Sequence, residues 1–115
     1  MAKVEQFAAA ADAIDAFAAD DQQLGDAYVT VLVHGGIAAA DVVCCARLGR
    51  HAIGERHDDA IGLIDKVDGD LARALGVLLG MKTKAGYSAV PTSADDRKRA
   101  ARAFTALLAA ARQHR

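Results

Sequence analysis

The stretch AYVTVLVHGGIAAADVVCCA, residues 27–46, decides the fold. Its apolar side chains run nearly all round a helical wheel, from Leu24 through Tyr28, Val31, Leu32, Ala38, Val42 and Cys45. A helix of that kind belongs at the centre of a bundle. The pattern predicts a long second helix over about residues 22–48. His34 and Asp41 interrupt the apolar run, and no basic leader with a small-residue cleavage site precedes it. It therefore reads as a buried helix rather than a membrane span or signal, and a cytoplasmic protein without membrane contact is expected.

Working outward, composition points the same way. The chain has 115 residues, 53% of them hydrophobic, with one Pro, no Trp, three Phe and two Tyr. Such a core is built from Ala, Leu, Val and Ile, and Ala-rich windows favour helix because alanine loses no side-chain entropy there. One domain is expected at this length. Val4, Phe7, Ala11, Ile14 and Ala18 recur at spacings of three and four, predicting a first helix over about 3–19. Asp20-Asp21 follows as a cap for the second helix. Gly49 and Gly54 end the second helix. His57 or Asp58 opens a shorter third, carrying Ala60, Ile61, Ile64 and Val67. The DGD at 68–70 breaks or bends the chain before a fourth stripe of Leu71, Leu75, Leu78 and Leu79. Ser93, with Asp96 three residues on, forms a capping-box pattern ahead of a last stripe of Ala100, Ala101, Phe104, Leu107, Leu108 and Ala111. The expected fold is an all-α up-and-down bundle of four to five helices. Gly35, Gly36, Gly62, Gly76 and Gly80 fall inside predicted helices, where close helix approach is the expected compensation for their entropic cost.

Charge is unevenly spread. Residues 1–70 carry 13 acids and five Lys/Arg, whereas residues 71–115 carry two acids and nine Lys/Arg. The split fits complementarity between neighbouring helices first, and a charge-matched dimer or a basic face for nucleic acid second. Cys44 and Cys45 are adjacent, so they point to different helix faces and cannot easily bridge each other. They are expected to be buried thiols, and neither a metal site nor a cofactor is expected.

Four polar groupings stand out. RLGRHAIGERH gathers Arg47, Arg50, His51, Arg56 and His57, either as an anion site or as the basic end of a helix complementing its dipole. Thr30, His34 and Asp41 share a face of the second helix. Seven residues separate His34 from Asp41, roughly 10 Å along the axis and too far for a hydrogen bond. They are expected to be satisfied buried polar positions, or a polar patch where a second subunit packs. MKTKAGYSAVPTSADDRKRA, residues 81–100, sets Lys82, Lys84 and Tyr87 ahead of Arg97, Lys98, Arg99 and Arg102. It reads first as a helix connector set off by Pro91 and capped by Ser93, and second as a phosphate-binding edge. Lys98, Arg99 and Arg102 share one side of the last helix, where a solvated face is the commoner explanation.

The order of these features resembles the HEPN domain, a small prokaryotic helical bundle found in nucleotidyltransferase and toxin systems. AYVTVLVHGGIAAADVV, then GERHDDAIGLI, is similar to that family's long second helix, glycine-containing loop and histidine-led third helix, with Tyr28, His34 and His57 in the matching places. KTKAGYSAVPTSADDRKRA resembles its basic, tyrosine-bearing connector. The likeness covers residues 22–115. It implies a ribonuclease motif of an arginine, four to six residues, then a histidine near the connector. Here Lys82 stands in the arginine's place, and Ala85 and Gly86 occupy the histidine region. Lysine lacks the bidentate fork, and neither alanine nor glycine moves a proton. Arg50 and His57 show the literal spacing, but before the third helix. The expectation is a non-catalytic interaction or accessory module, a homodimer through its Ala/Gly-rich helices, that contacts a protein partner or nucleic acid with its basic half. The alternative is a diverged ribonuclease or nucleotide-binding toxin component using Arg50 and His57.

Overall fold

The computed structural model describes residues 1–18, 24–54, 56–86 and 88–114. They form five helices: α1 (Ala2–Ala18), α2 (Gly25–Leu48), α3 (His57–Asp65), α4 (Gly69–Gly86) and α5 (Ala94–Arg112). No strand occurs among the described residues. The Cα radius of gyration is 13.4 Å, as expected for a packed domain of about this size.

α2 is the axle, packing against α1, α4 and α5. A helix apolar all round can bury more than one face, and Val29, Leu32, Val33, Ala39, Ala40, Val43 and Cys44 do so. Gly35 and Gly36 are the point of closest approach. A Cβ on Gly35 would stand 2.7 Å from Phe104 Cε1 of α5 and 2.9 Å from Phe7 Cβ of α1. A Cβ on Gly36 would overlap Leu78 Cδ1 of α4. Three helices thus converge on two adjacent residues that have no side chain. The other helical glycines differ: Gly62 and Gly80 face open space, and the nearest atom to a Cβ on Gly76 would be Ile61 Cδ1, at 3.8 Å. The expected close approach holds at Gly35 and Gly36 alone among the five.

α1 runs opposite to α2, with Phe7 at Gly35 and Asp12 and Asp15 beside Tyr28. α4 opposes α5, since Lys84 near the end of one meets Asp96 near the start of the other. α3 is the addition: it packs on α4 and barely touches α2. The core is therefore a four-helix bundle of α1, α2, α4 and α5, with α3 hung on α4 from the α2–α4 connection.

The helix ends obey local chemistry. Gly49 adopts φ 74°, and its N–H donates to Cys45 O at 3.0 Å. Such left-handed glycines terminate helices at no steric cost. The expected cap at Asp20-Asp21 lies outside the described residues; α2 starts behind Leu24, which offers no side-chain cap. Asp68 turns the DGD break into a start, its Oδ1 accepting from Asp70 N at 2.7 Å and Leu71 N at 3.3 Å. The capping box is complete, with Ser93 Oγ accepting from Asp96 N at 3.0 Å and Ser93 N donating to Asp96 Oδ2 at 2.9 Å.

Two details differ from expectation. α1 turns Val4, Ala8 and Ala11 fully inward and leaves Phe7 half-buried, because Phe7 must straddle the surface at Gly35 rather than enter the core. α3 ends at Asp65 and buries Leu63 with Ile64, while Val67 lies in the turn beyond it.

Gly36→Ala should destabilise the fold by about 1–3 kcal/mol, because Leu78 must shift within a packed interior. Gly62→Ala, in open space on α3, should stabilise by up to about 1 kcal/mol. Urea denaturation of both variants checks the contrast.

Candidate functional site

The connector between α4 and α5 is held by bonds to distant parts of the chain. Thr92 N donates to Asp26 Oδ1 of α2 at 2.8 Å, and Arg97 Nη1 donates to Thr92 O at 3.1 Å. The Arg97 side chain lies against Gly25, where an added Cβ would stand 3.0 Å from Nη1. Thr92 is buried, and its hydroxyl has no hydrogen-bond partner among the described residues. Lys84 Nζ reaches Asp96 Oδ2 at 2.8 Å. The Lys84 ammonium, and then the backbone N–H of Ser93, hold the Asp96 carboxyl down at about 2. Lys84, Asp96 and Ser93 form one knot that joins the end of α4 to the start of α5.

Two basic groups of this segment, Lys84 and Arg97, are thus committed to architecture. Lys82 is half-buried on α4 without an ion pair among the described residues, and Tyr87 lies outside the described residues. Lys98, Arg99 and Arg102 are exposed on α5 and likewise make no ion pair among the described residues. The acidic and basic halves meet directly at Glu5, whose two carboxylate oxygens accept from Arg112 Nε at 2.8 Å and Nη2 at 2.9 Å. This fork joins α1 to α5 and raises the guanidinium's already high pKa through that hydrogen bond.

The second basic cluster lies on the loop after α2. Arg50 and His51 line an open groove of about 570 Å³ between that loop and α3, together with Asp58, Asp59 and Lys66. Two carboxylates in the same groove offset its positive charge. Arg47 is exposed near the end of α2, and Arg56 is exposed with its Nε 3.7 Å from Asp59. His57 opens α3 but is not among the groove's lining residues, and Lys82 is not either. The groove therefore gathers Arg50 with His51, not with His57 or the connector. Ile53, 87% exposed, also lies on it.

On α2, Asp41 is half-buried, and its carboxyl pKa is raised by burial against the opposing pull of His51 and Lys3. His34, expected to be buried, is exposed; its ring stacks on Phe7 of α1 with centroids 6.2 Å apart and planes 22° apart. The reason is rotational, since His34 falls on the stripe of α2 outside its buried arc, which α1 reaches only at the edge, through Phe7. Cys45, expected to be buried, lies on that stripe too and is exposed. Cys44 is buried, and burial pushes its thiol up. Another cleft, of about 210 Å³ between α1 and α5, is floored by Leu32 and Phe104 and edged by Tyr28, Asp12 and Arg112. Burial, then Asp15 and Asp12, raises the Tyr28 hydroxyl pKa. Among the described residues no group of three His, Cys, Asp or Glu side chains gathers closely enough to hold a metal ion.

Reading the sequence missed the Asp26–Thr92 and Glu5–Arg112 ties. Their partners stand 66 and 107 positions apart, and no local spacing signals such a pair. No family model, curated protein or solved structure matches the chain.

The depressed Asp96 carboxyl makes stability depend on acid. The group titrates near its ordinary 3.8 when unfolded and at about 2 when folded, so its stabilising contribution is present above pH 4 and fades as pH falls from there toward 2. Lys84→Met should unfold at lower urea than wild type at pH 6, and the gap should narrow at pH 2.

Proposed function

We propose that this chain is a cytoplasmic, HEPN-like helical bundle that works by association rather than by chemistry, an accessory module that contacts nucleic acid through its basic C-terminal half. The observation that carries the reading is the division of labour among the basic groups from Lys84 onward. Lys84, Arg97 and Arg112 are spent on internal bonds to Asp96, Thr92 and Glu5. Lys98, Arg99 and Arg102 are left exposed on one side of α5, at the three- and four-residue spacings that align side chains. Cations on a rigid, capped helix suit a phosphate backbone, and residues 97–102 interleave no aromatic among them, which suits a contact without base readout.

The composition of the α2–α3 groove favours association over catalysis. Arg50 and His51 face Asp58 and Asp59 there, and His57, the histidine an arginine-histidine mechanism needs, is not part of its lining. Exposed groups in an open groove also lack the water-excluding surroundings in which a fixed charge stabilises a transition state strongly.

Fluorescence anisotropy with single-stranded RNA at low and high salt tests the reading. Binding should weaken steeply with salt, and the triple variant Lys98→Ala, Arg99→Ala, Arg102→Ala should lower the log–log salt slope by about 2. Incubation with total RNA runs beside it: cleavage lost in both Arg50→Ala and His57→Ala would make the chain an enzyme and overturn the proposal. Salt-insensitive or absent binding would move the search to a protein partner.

A further inference from the structure

α1 packs along α2 and reaches α5 chiefly at one end, through the Glu5–Arg112 fork. Beyond the fork the two helices stand apart over the cleft of about 210 Å³. Small residues make the gap. α1 faces it with Ala8 and Ala11 and α5 with Ala101, side chains too short to interlock where a leucine would have closed the space. The volume is that of about seven waters at roughly 30 Å³ each, well below a drug-sized pocket. Leu32 and Phe104 form its floor, so a molecule that enters meets apolar carbon beneath a polar mouth.

The polar groups at the mouth say which molecule fits. Thr105 Oγ1 already donates to Ala101 O at 2.8 Å, and Arg112 is held in the fork by Glu5. Asp12 and the Tyr28 hydroxyl make no hydrogen bond or ion pair among the described residues. They are left to address a ligand, one as a carboxylate acceptor and the other as donor or acceptor. Charge there is lopsided: against the guanidinium of Arg112 stand Glu5, Asp12 and Asp15. Burial first, and then that negative field through Asp15 and Asp12, raises the Tyr28 hydroxyl. The same field repels an anion and draws in a cation. An apolar floor under an acidic mouth is the complement of a small organic ammonium ion, whose head would bond the free oxygens while its body displaces water from the floor.

We propose that the α1–α5 cleft binds a small primary amine, its ammonium head on Asp12 and the Tyr28 hydroxyl and its alkyl or aryl body on Leu32 and Phe104. The nucleic-acid reading is separate, because Lys98, Arg99 and Arg102 lie outside the cleft, and either can fail alone.

Titration of the full chain with phenethylamine, followed through its amide NMR spectrum, tests the proposal. Shifts should saturate and cluster at residues 8–12, 28–32 and 101–112. The neutral isostere phenethyl alcohol should bind about tenfold or more weakly, and the anion phenylacetate more weakly still. Asp12→Asn should weaken the amine about tenfold. Ala101→Leu, which fills the cleft, should abolish its binding with helical circular dichroism unchanged. The absence of a saturable shift up to about 10 mM amine would overturn the proposal. So would shifts clustered elsewhere on the chain, equal binding of the amine and either analogue, or wild-type affinity in either variant.

Discussion

The meeting of three helices on Gly35 and Gly36 is the constraint on which the remaining structure depends. α1 arrives with Phe7, α5 with Phe104 and Leu107, and α4 with Leu78. Only residues without a Cβ let all three come that close to one turn of α2. The cost is about 1 kcal/mol of helix propensity per glycine, offset by the burial of those large side chains. The same turn places His34 immediately beside the crossing, where Phe7 stacks on its ring and the residue stays exposed. Packing at the glycines and exposure at the neighbouring histidine are two results of one rotation of α2.

A second layer of order comes from polar ties rather than apolar burial. Most of α5 is positioned by Ala100, Phe104, Leu107 and Ala111 entering the core. Its ends are positioned by charge: Ser93, Asp96 and Lys84 fix the start, and the Glu5–Arg112 fork fixes the finish. Exposed ion pairs of this kind contribute little each. Their effect is mainly geometric, setting where the helix begins and which face carries Lys98, Arg99 and Arg102. The scaffold and the proposed binding face share one short segment, which is why a basic connector read from the sequence alone is ambiguous.

The fold was legible in the sequence because helical periodicity is local. The stripes at Leu75, Leu78 and Leu79 and at Ala100, Phe104 and Leu107 each declare a face within two turns. Capping residues such as Ser93 and Asp96 declare a boundary within four positions. What was illegible is which faces stay uncovered. His34 and Cys45 sit in the most apolar run of the chain, so hydropathy places them inside. Their exposure is decided by how α1, α4 and α5 divide the circumference of α2, which no window of α2 contains. The same holds for the candidate site. Arg50, His51, Arg56 and His57 are close in sequence, but the turn into α3 sends them to different surroundings.

α3 is joined to the four-helix core through one neighbour, α4, and buries only Leu63 and Ile64. The loop leading into it exposes Ile53 and pivots on Gly49 and Gly54, both at positive φ. An element with so small a stake in the interior opens at far lower free energy than the whole domain. α3, with the described part of its loop, is therefore expected to open ahead of the bundle core, its amides exchanging with solvent sooner than those of α2. Of the grooves described, the one holding Arg50 and His51 is bounded by that segment, and its shape is a matter of equilibrium rather than of the static bundle.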